Sequence, residues 1–497
     1  MRAARGLLLI GLVLVFVLGA LAISAHFGPR LLARWQDLQP RVTELAPHSA
    51  PPLAVQPAVA AAAALAALSR PLIGGGQLSV LGNPAALRYP DCHLAYARNP
   101  WDLAAFDGGL YIGLGDASNQ GPSPNAGPVP LIRYDPVSDR FHEELILPEE
   151  QIGRFFRRQG ALWLTGDDPR QSWRWGNLYR RDAHGGWLQY RTLPRTIHAY
   201  ALAWHQGRLF AAISITEAVP EGVGTERHGS AVAVSTDEGL SWSLIPLGGW
   251  RIFDFLQLDG QLFAADVFPG PGIQRWLDAE QRQGWHAPIY ALEMSPAETS
   301  PAETITAEAS TAEASTAEAM PTARRRLDLD AKALFPNTPQ AGERAAVVAR
   351  ALPWGHRAAY LGVFARWQDP WPEQGAYLAE SLREGDVRVR RIPLPEGAIA
   401  LDLRLEGNAL QVLFAVPETD VADADAALDT RWRSSLWSSQ DGERWEPMLS
   451  FSANAPARAV ERLGDDLYLA LGSLSPPDEG RCTAADQATG TLLRWRR

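Results

Sequence analysis

Lysine is all but absent: of 497 residues only Lys332 is one, and every other basic residue is arginine. That excludes a phosphate loop ending in Gly-Lys and leaves Schiff-base chemistry a single candidate amine. Cysteine is nearly as scarce, with Cys92 and Cys482 the two residues present, so no paired-cysteine zinc spacing exists. There is no His-Glu-x-x-His helix and no Gly-x-Ser-x-Gly elbow, which removes two common hydrolase readings. Net charge is −10 and no basic residues cluster in a block, so nucleic acid is not an expected partner. Beyond about residue 90 helical periodicity is missing, which argues against an α/β fold.

What is present begins with an apolar run, residues 7–25, behind Arg2 and Arg5. Its length suits a membrane-spanning helix better than the core of a cleaved signal. Residues 1–27 therefore read as a signal anchor with a cytoplasmic start, which exports the rest of the chain. Ala20-Leu21-Ala22 leaves cleavage open as an alternative. Residues 28–73, rich in Pro and Ala, read as a stalk. A second biased segment, residues 293–325, repeats "SPAET" and "TAEAS" and has few large apolar residues. It is expected to be disordered.

Residues 74–497 repeat a short turn followed by an apolar strand. Examples are "DGGLYIGLGD" from Asp107, "QGALWLTGDD" from Gln159, "QGRLFAAISI" from Gln206 and "DGQLFAADVF" from Asp259. Weaker copies start at Gly355, Glu406 and Gly464. Four short strands per unit and seven units predict an all-β, seven-bladed β-propeller. The last unit supplies three strands, so its fourth is expected from the stretch before unit one, "GGQLSVLG" (residues 75–82). Cys92 and Cys482 lie near the two ends of that ring, and an exported chain would join them as a disulfide locking its closure. Two unrelated thiols are the alternative.

The string "STDEGLSW", residues 235–242, is placed at the turn from third to fourth strand, with a worn copy in "SSQDGERW", residues 438–445. Ser235 and Asp237 can bond turn amides, Gly239 can take positive φ, and Trp242 is expected between blades. "YDPVSDRF", "RDAHGGW" and "LDAEQRQGW" are read as equivalent turns. The string resembles the Asp-box (BNR-like) hairpin of sialidase-type propellers. That resemblance implies a structural fastener remote from any substrate pocket. "DDPRQSWRWGNLYRRD" and "GWLQYRTLPRTIHAY" are similar to stretches of exported bacterial propellers of uncharacterised function. A sialidase-like enzyme would also carry an arginine cluster, a Tyr nucleophile and an Asp acid/base. The match Arg391-Ile392-Pro393 falls in a fourth strand, where it cannot reach a channel, and no arginine triad stands out.

Loops between second and third strands are long, and they share one face with the blade-to-blade connections. The Ala/Glu/Thr insert is expected on that face too. Candidate ligand-binding residues cluster there: Asp116, Asn125, Asp167, Asp168, Trp173, Trp175, Asn177, His198, Tyr200, Arg251, Asp254 and Asp266. Carboxylates, an amide and an imidazole beside indole faces suit a polyhydroxylated ligand, with a cell-envelope glycan the expected class. Acid/base hydrolysis of glycans through Asp167 or Asp168 with His198 is the enzymatic alternative. A platform for a protein partner is the third reading. No cofactor is expected, and no metal is assigned, although hard-oxygen coordination fits the Asp167/Asp168 cluster.

Overall fold

The computed structural model describes residues 39–46, 53, 73, 75–117, 127–182, 185–217, 227–247, 249, 251–267, 286–294, 321–338, 345–365, 373–418, 430–475 and 482–497. Residues 1–38, Asn125 and most of the Ala/Glu/Thr insert lie outside them. Among the described residues no helix is long and apolar enough to cross a membrane.

Seven antiparallel sheets, six of four strands and one of five, form the blades of a β-propeller. Their first strands are Asp102–Phe106, Phe155–Arg158, Thr196–His205, Ile252–Leu258, Ala345–Trp354, Ile399–Glu406 and Ala457–Leu463. Residues from all seven line one central cavity. The turns leaving these strands are two residues long, and their sequences explain why. In blades one to four both turn residues take positive φ, as at Asp107 (48°) and Gly108 (69°). In blades five to seven the glycine moves to the first position, as at Gly355 (63°). These are the primed turns whose twist matches paired strands.

The apolar core is divided among the seams. Each of seven buried clusters draws on two adjacent blades, from Leu103 and Tyr468 between one and seven to Phe210 and Phe255 between three and four. The "STDEGLSW" string sits at such a seam. Ser235 Oγ accepts the Gly239 amide at 2.8 Å, and Asp237 Oδ1 accepts that of Ser241 at 2.9 Å. Trp242 Nε1 donates to Thr192 of blade two at 3.0 Å. In the worn copy the working serine is Ser439, one residue later than the string suggested; its Oγ accepts the Gly442 amide at 2.8 Å. Arg390 of blade five then donates to Gly442 O at 2.9 Å.

The ring closes as expected. Gln77–Gly82 is the fourth strand of blade seven, paired with Leu492–Arg496, and Cys92 is bonded to Cys482. Three features differ from the sequence reading. Arg41–Leu45 is no free stalk: it adds a fifth strand to blade two, with Val42 opposite Tyr190. Five residues of alternating character were hidden by their Pro/Ala-rich surroundings. Second, the biased insert is bounded more tightly than residues 293–325, because His286–Met294 and Pro321–Asp330 are strands. Third, those two strands pair with each other, Met294 opposite Pro321, so the insert joins the third and fourth strands of blade four. It therefore leaves the ring on the tight-turn face, not the long-loop face, and "LDAEQRQGW" falls before the third strand rather than after it.

Candidate functional site

At the long-loop face, single backbone bridges step from blade to blade. Gly115 bridges to Gln151, Gln151 to Asp167, and Asp167 to His198. Asp116 N donates to Glu150 O at 2.9 Å, Glu150 N to Asp167 O at 3.0 Å, and Asp168 N to Ile197 O at 3.1 Å. Backbone from blades one, two and three is thereby locked into one arc, and its side chains are presented by fixed main chain. Asp168 takes the left-handed conformation, φ 50°, which an Asp tolerates better than most residues.

His198 is the pivot. Its Nδ1 lies 2.5 Å from Asp167 Oδ1 and 3.5 Å from Asp168 Oδ1. Its Nε2 lies 3.2 Å from Arg251 Nη2. A guanidinium only donates, so Nε2 accepts and Nδ1–H points at Asp167. Tyr200 stacks on the imidazole at 5.2 Å between centroids, and Arg251 covers the Tyr200 ring at 5.7 Å. Burial pushes the Asp168 carboxyl above its ordinary range, and the neighbouring Asp167 adds to this. Ligand atoms of Asp167, Asp168 and His198 converge within 4.8 Å. Arg251 already supplies positive charge on the far side of the imidazole, so a cation there would face it.

Two residues that sequence reasoning missed belong to this region. Glu150 is raised to about 7, first by burial and then by Asp168. Glu149 is fully buried and raised to about 8 by burial. Its Oε1 accepts from Asn177 Nδ2 and from Tyr179 Oη, each at 2.5 Å, while Oε2 has no partner. A Cβ on Gly166 would lie 2.8 Å from this carboxyl, so the close approach requires glycine. Nothing in "LPEEQIG" separates these two glutamates from surface acids; their burial comes from blade two folding over them.

The candidate residues thus divide. Asp167, Asp168, His198, Tyr200 and Arg251 form one cluster. Asp116 is buried beside it. Trp173 stands half-buried on the adjoining loop and Trp175, also half-buried, opens the strand Trp175–Arg181. Arg191 anchors this stretch by donating to Gln171 Oε1 at 2.8 Å, Ser172 O at 2.8 Å and Trp175 O at 3.1 Å. Asn177 is committed to Glu149. Asp266 faces the seam with blade three, where Ser230 Oγ donates to it at 2.8 Å; burial raises it to about 7.

Asp254 has a different role. It pairs with Arg154 of blade two and accepts the Ala351 amide of blade five. Asp102 and Asp402 repeat the device, accepting the Phe155 and Val460 amides of the following blades at 2.8 Å. Arg350 of blade five joins both, at 2.7 Å to Asp102 and 2.6 Å to Asp402. Blades one, two, four, five and six are thus tied by a buried ionic belt crossing the channel.

No family model and no curated sequence matches this chain. Among solved structures it is similar to Kuenenia stuttgartiensis hydrazine synthase, at 10% identity and TM-score 0.40 over 76% of this chain and 93% of that one. It is also similar to the Neurospora crassa Pan2 WD40 domain, at 10% identity and TM-score 0.39 over 86% and 95%. A third is the Bombyx mori GH32 beta-fructofuranosidase, at 11% identity and TM-score 0.33 over 80% and 88%. Likeness at this level carries nothing about chemistry.

Proposed function

We propose that this propeller is held outside the cytoplasm by residues 1–27 and binds a polyhydroxylated ligand, a cell-envelope glycan, at its long-loop face. The observation that carries the reading is the Asp167/His198/Arg251 chain with Asp168 and Tyr200 around it, on backbone contributed by adjacent blades. Such a site offers fixed acceptors and donors to hydroxyl groups, and Trp173 and Trp175 offer indole faces to the apolar side of a sugar ring. The Cys92–Cys482 bond agrees with an oxidising compartment. In the same reading, the two Ser/Asp/Gly/Trp turns are Asp-box fasteners with no part in binding. Trp173→Ala and Trp175→Ala are expected to abolish retention on envelope polysaccharide while leaving the thermal midpoint in place. Unaltered retention in both would reject the site.

A hydrolytic version is favoured by one specific observation: Glu150 and Asp168 are both raised towards neutrality beside each other. A carboxyl of that kind can deliver a proton at neutral pH. Release of reducing sugar that disappears in Asp168→Asn would select this version. No release from the wild type leaves binding alone.

A further inference from the structure

The opposite mouth of the channel, ringed by the two-residue turns, opens onto a cavity of about 440 Å³ lined from all seven blades. That is the scale of a small-molecule site. Phe156, Trp204, Leu352 and Leu405 supply apolar wall, and Leu405 is one of few large apolar side chains left exposed. The polar lining has an opposite bias to the chain as a whole. Five arginines and three carboxylates line the cavity, whereas the protein's net charge is −10. Four of the arginines are matched: Arg154 by Asp254, Arg350 by Asp102 and Asp402, and Arg157 and Arg404 by Glu461. Arg158 makes no ion pair or hydrogen bond among the described residues, and neither does the Gln257 amide. At its inner end the cavity meets the ionic belt, so an occupant enters and leaves by this mouth.

We infer that this mouth binds a small organic anion with an apolar body, such as an aryl or alkyl carboxylate or sulfonate. Its charge is met by Arg158 and its body by the wall of Phe156, Trp204 and Leu405. A matched guanidinium offers little to an incoming anion, while the unmatched Arg158, exposed at the rim beside apolar surface, is free to make a charge-assisted bond. The site lies at the far end of the channel from the glycan reading and does not depend on it.

The full chain is titrated with anilinonaphthalene sulfonate, whose fluorescence reports an apolar site, and separately with phenylnaphthylamine, the same body without the charge. One saturable sulfonate site per chain is expected. Arg158→Gln weakens the sulfonate about tenfold and leaves the uncharged dye unaffected. Trp204→Ala weakens both. Leu405→Glu, at an exposed position that tolerates charge, selectively repels the sulfonate and serves as the second variant if Trp204→Ala is poorly folded. Sulfonate binding that is indifferent to Arg158→Gln and Leu405→Glu, or many weak sites per chain, overturns the assignment.

Discussion

The two mouths of one channel are made from the same seven sheets by different means. At the tight-turn mouth every inner hairpin spends two residues on reversing direction. What the inner hairpins offer at this end comes from the strands, as at Arg158 and Trp204. At the long-loop mouth the chain is released from that constraint. There the acids and the imidazole gather, on backbone fixed by single bridges rather than by a full ladder. Strand-borne residues are placed by the sheet; loop-borne ones need anchors such as Arg191, Glu149 and Gly166.

The ionic belt between the mouths is where this contrast is tested hardest. Arg350→Met leaves Asp102 and Asp402 buried without their cation, and removing one partner of such a group costs about 3–5 kcal/mol. Urea unfolding should show that loss, and ligand binding at both mouths should suffer together. A loss below about 1 kcal/mol would mean that the belt does not organise the ring. The double variant Cys92→Ser with Cys482→Ser comes next, at about 2–4 kcal/mol. It should lower stability while leaving affinity at either mouth intact, because the bond closes the ring's perimeter. Altered affinity at one mouth alone would show that ring closure is coupled to that end.

Glu149→Gln sharpens the comparison on the long-loop side only. The Glu149 carboxyl is raised from 4.5 to about 8, so its folded value exceeds its unfolded one. Its contribution to stability is therefore full below about pH 4.5, falls as pH rises, and is gone above about pH 8. Glutamine stays neutral throughout. The variant should match the wild type near pH 4.5 and gain on it at up to about 1.4 kcal/mol per pH unit towards pH 8. Parallel denaturation curves at pH 4.5, 6 and 8 would contradict this.

Much of the ring was legible because its signals are local. Asp107-Gly108 and its copies announce a hairpin within four residues, and Cys92 and Cys482 mark the closure. The cluster of Asp167, Asp168, His198, Tyr200 and Arg251 was legible because strand ends on one face converge. Asp254 and Asp266 looked the same in sequence, but their partners lie elsewhere: Arg154 is 100 residues from Asp254, and Ser230 is 36 from Asp266. Burial of Glu149 was invisible for the same reason. The insert was placed on the wrong face because "PTARRRLDLD" carries too little apolar alternation to announce a fourth strand.

The seventh blade also fixes an order of events. Ser79 pairs with Arg494, 415 residues downstream, so a strand made before the first blade waits for Leu492–Arg496. Until that strand is made, both borders of the incomplete circle present unsatisfied amides and carbonyls. A nascent product cannot seal itself, and is exposed to aggregation and proteolysis until Leu492–Arg496 arrives.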